Sequence, residues 1–405
     1  MKYIRTYGDY NSWKLDYSDT SRGFRLKPTL YKYSDVNIES KILLETDDPR
    51  KHGDSTYMEI DLSSDAEFSF YIGNKSGDTQ TTMTCTIDWG DGTIETKTIT
   101  KDNYGFKLAH NYVANSYHIE LYGVERNYSI AGYDNMSLIS PANVNFKRAI
   151  LSESVVNIEA GAFDSQYHLT SIYIPNSVIS IGEQAFGSCE SLTSVSIPES
   201  VTSIGKGVFD GCSSLISINI PNSVTSIGSV AFKYCTSLTS IHIPESVTSI
   251  GDSAFNSCHS LTSIYIPESV TSIGNDMFGG CSSLTSINIP NSVNSIGSSM
   301  FGGCSSLTSI NIPNSVNSIE HNAFEECSSL TSIDIPESVT SIRENAFDGC
   351  LLTHISSLNT TAPTIGNDVF ANIPTNGTLH IKQGATGYDA WLNALPSGWK
   401  IVESL

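Results

Sequence analysis

The sequence predicts a mainly β chain whose larger part is a parallel-β solenoid of 23-residue coils. Three columns of residues carry that prediction. Cysteines stand at 189, 212, 235, 258, 281, 304, 327 and 350, always 23 apart. Prolines from 175 to 336 keep the same step, and so do ten phenylalanines from Phe163 to Phe370. A fixed period of about 20–50 residues marks a solenoid, a propeller or an array, and a propeller blade needs four strands and about 40 residues. A repeat of 23 residues is one coil of a solenoid.

Each coil has the same parts. Leu-x-x-Ile-x-Ile-Pro reads as a short strand with its isoleucines inward. Proline has no N–H for a ladder and ends it. Ser-Val-Thr-Ser-Ile-Gly is a second extended run, and Ala-Phe-x-x-Cys is a tight turn that drops Phe and Cys inside. One coil cannot bury these residues alone; stacking puts Leu on Leu, Ile on Ile and Phe on Phe in one core. Residues 146–370 are expected to give about ten rungs, roughly 45–50 Å long at the interstrand spacing. The stack is expected to be more open at Phe370 than at its centre.

The unit L-T-S-I-x-I-P-x-S-V-T-S-I-G-x-x-A-F-x-x-C resembles the BspA-like (Treponema-type) leucine-rich repeat. That resemblance covers about Phe146 to Phe370 and implies a right-handed solenoid. It also implies surface-exposed, ligand-binding or adhesive proteins without enzymatic activity. The common leucine-rich repeat caps its turn with Asn; here Pro-Asn-Ser or Pro-Glu-Ser stands there, so no Asn ladder is expected. The first coil lacks the proline and has Gln166 in the cysteine column, as terminal repeats do.

The flanks differ. Residues 1–56 are rich in aromatics, among them Tyr3, Tyr7, Trp13 and Phe24, and read as a β-rich extension or an attachment segment. Residues 57–125 read as β, with Thr84–Trp89 and Thr93–Ile99 flanking an Asp-Gly hairpin signal at Gly90-Asp91-Gly92. Asp88-Trp89-Gly90-Asp91-Gly92-Thr93, followed by His110-Asn111-Tyr112, resembles PKD-like domains, which implies an immunoglobulin-like β-sandwich acting as a spacer. Asp88, Asp91 and His110 suggest a metal or acid–base set on paper; turn geometry explains the motif more simply. Residues 126–145 are punctuated as a connector, and 371–405 as a cap, with Tyr388–Leu395 as a short helix and Trp399 over the open end.

The chain carries 22 basic and 42 acidic residues. Residues 151–405 hold 5 basic against 21 acidic, a net of −16. A nucleic-acid binder needs a cationic face, so nucleic acid and anionic lipid headgroups are excluded as partners of the repeats. There is no apolar run of about 20 residues to span a membrane, and Met1–Asp9 has no signal-peptide core. A surface role then requires that a leader was removed, that export takes another route, or that the protein rides on a virion assembled inside the host cell. Nine cysteines invite disulfides, but eight lie in one column. They are expected to be buried, reduced thiols filling space.

No phosphate loop, zinc spacing or catalytic carboxylate pair stands out, so no enzyme and no cofactor are expected. One column does vary. Between the two inward isoleucines lie Tyr173, Ser196, Asn219, His242, Tyr265, Asn288, Asn311 and Asp334. Alternation turns them outward into one ladder, the place where a solenoid reads a ligand. The expected partner is a surface protein or a neutral glycan, bound at a cell surface or on a virion. A structural spacer in a larger assembly such as a phage tail or fibre, held through the N-terminal segment, is the alternative. A carbohydrate-binding module is a third reading that lacks a catalytic partner here.

Overall fold

The computed structural model describes residues 56–62, 66–74, 82–100, 106–112, 116–122, 128–130 and 144–403. The aromatic-rich segment over 1–56 falls outside them except for Thr56. Before the solenoid come β1 (Thr56–Leu62), β2 (Ala66–Asn74), β3 (Thr82–Asp88), β4 (Ile94–Thr100), β5 (Phe106–Tyr112), β6 (Ser116–Tyr122) and β7 (Tyr128–Ile130). Then β8 (Val144–Ile150) and β9 (Val155–Ile158) open the first coil.

The N-terminal strands join two sheets, ordered β8-β1-β6-β3-β4 and β9-β7-β2-β5. Their pairings are antiparallel except at β7–β9, which is parallel. Both sheets run on into the solenoid. β8 pairs in parallel with Ser171–Tyr173, and β9 with Ser180–Ile181. The stretch expected to be a plain connector therefore supplies a strand, β7, that links β2 to β9. Three residues of strand are too short to show a period in the sequence.

The Asp-Gly hairpin forms where the sequence places it. Asp88 Oδ1 accepts the Gly90 N–H at 2.9 Å, and Asp91 Oδ1 accepts the Thr93 N–H at 2.9 Å. Gly90 and Gly92 have φ of 81° and 98°, a backbone only glycine enters readily. Asp91 Oδ2 lies 2.8 Å from His110 Nε2, and the His110 ring stacks on buried Trp89 at 4.9 Å. Burial pushes the Asp91 carboxyl up, but hydrogen bonds from His110 and Thr93 outweigh it and hold the carboxyl below its usual range. Asp88 is spent on the turn, so these three residues brace a hairpin.

From β8 onward the chain is a right-handed β-solenoid of about 11 turns. That exceeds the expected ten because Thr378–Ile381 and Lys400–Glu403 extend the first ladder past Phe370. The second ladder is a Ser-Ile pair per coil, such as Ser203–Ile204 on Ser226–Ile227 on Ser249–Ile250. In several coils the glycine after the pair lies against the previous coil: a Cβ on Gly251 would stand 2.4 Å from Ser229 N. Glu320 and Arg343 occupy that column in two later coils and approach to 3.8 Å.

One core runs from Ile60 to Trp399. At its centre the phenylalanines from Phe146 to Phe370 stack ring on ring at 5.3–6.1 Å. The cysteine column lies beside it, and all nine cysteines are free and buried. Each column thiol donates to the carbonyl of the phenylalanine 26 residues earlier, for example Cys258 Sγ to Phe232 O at 3.2 Å. The thiol is thus a hydrogen-bond donor as well as a filler. From Ser177 to Ser292 the serine after Pro-x does a similar job, as when Ser223 Oγ donates to Val201 O at 2.6 Å, whereas the hydroxyls of Ser315 and Ser338 are buried without a partner. Asn359 takes over near the end, donating to Glu337 O and Val339 O at 2.9 and 2.8 Å.

The tail closes the stack. Helix α1 (Asp389–Ala394) carries Trp391 onto Phe370 at 5.3 Å, and Trp391 Nε1 donates to Pro363 O at 2.9 Å. Trp399 covers Gly377, where a Cβ would fall 2.3 Å from its ring. Phe370 is only 1% exposed, so this end is not open as expected.

Each turn places two residues in the left-handed region, one two positions before Phe and one just before Cys. Gln184, Val230, Ser253, Asp276 and Ser299 fill the first; Ser188, Tyr234, Ser257 and Glu326 fill the second. Val230 is the costly one, since a β-branched side chain at φ 53° is a strained exception. Gly207 fills the same place one coil earlier at φ 62°. Val230→Gly should relieve about 1–2 kcal/mol of strain against an entropic cost of about 0.5–1 kcal/mol. A modest rise in the urea midpoint is the expected result; a fall would show that Val230 is not strained.

Candidate functional site: the strand-face ladder

Strand alternation turns the variable column outward. Ser196, Asn219, His242, Tyr265, Asn288, Asn311 and Asp334 are exposed, while Tyr173, next to the N-terminal strands, is half-buried. Tyr173 is therefore not the fully solvent-facing residue that alternation implied. Parallel bridges set Asn219 beside His242 and His242 beside Tyr265, on successive rungs. Asn288 and Asn311 form another such pair. With rungs about 4.8 Å apart, Asn219 to Tyr265 spans roughly 10 Å.

The eight residues are not equivalent. Asn288 turns its amide onto the preceding coil: Nδ2 donates to Ile266 O at 3.2 Å, and Oδ1 accepts the Ile266 N–H at 3.4 Å. Its polar atoms are committed to the fold. Tyr265 is 51% exposed, a large ring presented to solvent. The neighbouring threonines are also occupied: Thr285 and Thr308 donate to the carbonyls of Thr262 and Thr285 at 3.2 and 3.3 Å. These threonine hydroxyls hold coil to coil, whereas the serines beside them, such as Ser217, Ser240 and Ser263, are exposed.

Column reading from sequence missed two residues. Ile216 stands where neighbouring coils have Thr and is 53% exposed. Its N–H and C=O bond to Thr193 and Thr239, so it shares their column. His259, exposed beside the same rungs, varies in the column after Cys. The signal was available: a departure from a fixed residue type matters as much as a column that varies throughout. Among the described residues no group of three or more His, Cys, Asp or Glu is placed to hold a metal ion. No described helix is long and apolar enough to cross a membrane.

The profile of the BspA type leucine rich repeat region matches residues 142–262 and 248–377, more than half of the chain. The chain belongs to the BspA-type leucine-rich repeat family. Solved structures similar to it include a leucine-rich repeat protein from Bacteroides ovatus ATCC 8483, at 25% identity over 64% of this chain and 95% of that one, with a TM-score of 0.30. The T. pallidum leucine rich repeat protein matches at 23% identity over 65% and 94%, with a TM-score of 0.35. A leucine rich cell surface protein from Faecalibacterium prausnitzii A2-165 matches at 25% identity over 58% and 91%, with a TM-score of 0.31. No curated protein matches the chain. The BspA-type profile begins at residue 142, after the strands β1–β7.

Proposed function

We propose that this BspA-type chain is a non-enzymatic recognition or adhesion protein on a bacterial or phage-virion surface, binding a protein or neutral glycan through the strand face of its solenoid. The observation that carries the reading is the ladder Asn219–His242–Tyr265, exposed on successive rungs. Family membership and the acidic repeats agree with it. Residues 57–125 serve in this reading as a PKD-like spacer, and residues 1–56 as the attachment segment.

The strand face is tested with the full chain against a glycan array and against intact bacterial and host-cell surfaces. His242→Ala/Tyr265→Ala should weaken whatever binding is found at least tenfold, about 1.4 kcal/mol. Both side chains face solvent, so circular dichroism and the urea midpoint should stay unchanged. Undiminished binding by the double variant would move the recognition surface to the turns or the N-terminal segment.

A second reading, a spacer subunit with no ligand of its own, is favoured by one feature. Both sheets pass from the N-terminal strands into the solenoid through β8 and β9, as suits a stiff mount. Absence of binding to every array and surface would favour it.

A further inference from the structure

Resting on the strand-face reading, we propose that recognition is confined to the stretch carrying Ile216, Asn219, His242 and Tyr265, and that its partner is a polypeptide segment presenting apolar side chains flanked by basic residues. Four observations converge on that stretch. Ile216 and Tyr265 are the two large apolar side chains of the central strand face that are more than half exposed, at 53% and 51%. Asn219 and His242 lie on the rungs that lead up to Tyr265. Further along, Asn288 is tied to Ile266 and the remaining variable residues are Asn311 and Asp334, with no apolar surface to bury. Towards the N-terminus Ser196 interrupts the ladder before Tyr173.

The chemistry selects the partner class. Exposed aliphatic and aromatic side chains in a polar surround are what protein interfaces bury at their centre. Ile216 and Tyr265 lie two rungs and three residues of register apart, roughly 14 Å by strand spacing, a span that one extended segment covers. A glycan needs many free donors and acceptors, and here part of the hydroxyl set is spent: Thr239 Oγ1 donates to Ile216 O and Thr262 Oγ1 to Thr239 O, both at 3.5 Å, which leaves the exposed hydroxyls of Ser217, Ser240 and Ser263. Ile216 offers a sugar neither a hydrogen bond nor a ring face. Charge sets the rim. Glu245 and Glu268 stand exposed just past the strand-ending prolines, one coil apart. The repeats hold 5 basic residues against 21 acidic ones over 151–405. A basic rim on the partner complements this field, speeds encounter and disfavours acidic competitors.

The probe is a random-peptide phage library selected on the intact chain, with a glycan array run in parallel. Two variants use residues the repeat already tolerates in those columns: Ile216→Thr/Tyr265→Ser at the patch, and Asn311→Ser/Asp334→Ser further along. Wild type and the second variant should enrich peptides that combine aliphatic or aromatic residues with Lys or Arg, and such peptides should weaken as salt rises. The first variant should bind them at least tenfold less tightly with an unchanged urea midpoint. Loss in the Asn311/Asp334 variant alone would overturn the confinement to the patch while leaving the strand-face reading intact. Equal loss in both variants would also overturn the confinement, and wild-type binding by both would overturn the strand-face reading itself. Enrichment of acidic peptides, glycan hits without peptide hits, or no enrichment over an unrelated protein would each overturn the proposed partner class.

Discussion

Raising the pH above about 9 is expected to unfold the solenoid cooperatively, with a steep loss of stability per pH unit. The cause is the thiol column. Burial pushes the thiols of Cys189, Cys212, Cys235, Cys258 and Cys304 well above their usual value, and that of Cys281 up to about 12. An unfolded chain ionises its cysteines near pH 8.5. Between that pH and the folded values the unfolded state has lost protons that the folded state keeps. Stability is therefore fully present below about pH 8.5 and falls as pH rises through the window. Each such thiol removes about 1.4 kcal/mol per pH unit, so six acting together remove roughly 8 kcal/mol per unit, comparable with the whole stability of an ordinary domain. Urea or thermal unfolding in reductant at pH 7, 9 and 10 measures it. Cys258→Ala should flatten the slope by about one proton while lowering stability at pH 7, because Phe232 O loses its donor. A midpoint that stays level to pH 10 would mean that the thiols are not buried as a column.

The repeat was legible because the same residue returning every 23 positions means the same surroundings returning every coil. Phe, Ile, Leu and Cys are apolar at fixed places, and only a stack lets each bury against its own copy. Alternation sufficed to turn His242 and Tyr265 outward. What the sequence withheld depends on contacts between coils. The left-handed residues before Phe and Cys hide behind mixed side chains, although Gly161, Gly207, Gly211 and Gly280 mark some of them. Asn288 looked like any member of a variable column, and only its bonds to Ile266 show that it is spent. Tyr173 looked exposed by alternation, but its strand pairs with β8 where the N-terminal strands join the stack. Asp210 is a similar case: one carboxylate oxygen is buried without a hydrogen-bond partner, and burial pushes its carboxyl up. Nothing in its column forecasts that.

Phe255→Ala should cost about 3–5 kcal/mol, the usual penalty for emptying a buried phenylalanine site. Its ring is fully buried between Phe232 at 5.4 Å and Phe278 at 5.8 Å, both nearly parallel to it. Offset stacking of this kind adds about 0.5–1.5 kcal/mol per pair beyond the area buried. Relaxation cannot fill the hole cheaply, because the Phe255 backbone is pinned to the following coil at both its N–H and its carbonyl. Its N–H donates to Met277 O at 3.0 Å, and its carbonyl accepts the Cys281 thiol at 3.2 Å. The same change at Phe370 distinguishes an open end from a capped one. Phe370 lies 6.0 Å from Phe347 and 5.3 Å from Trp391, and solvent reaches 1% of it. Phe370→Ala should therefore fall in the same range of about 3–5 kcal/mol, and Trp391→Ala should expose Phe370 and fray the last coils first. Urea midpoints compare the two phenylalanines, and hydrogen exchange locates the fraying, because stacked repeats can open from one end. If Phe370→Ala moves the midpoint less than half as far as Phe255→Ala, Trp391 does not seal the stack and the C-terminal end behaves as an open one.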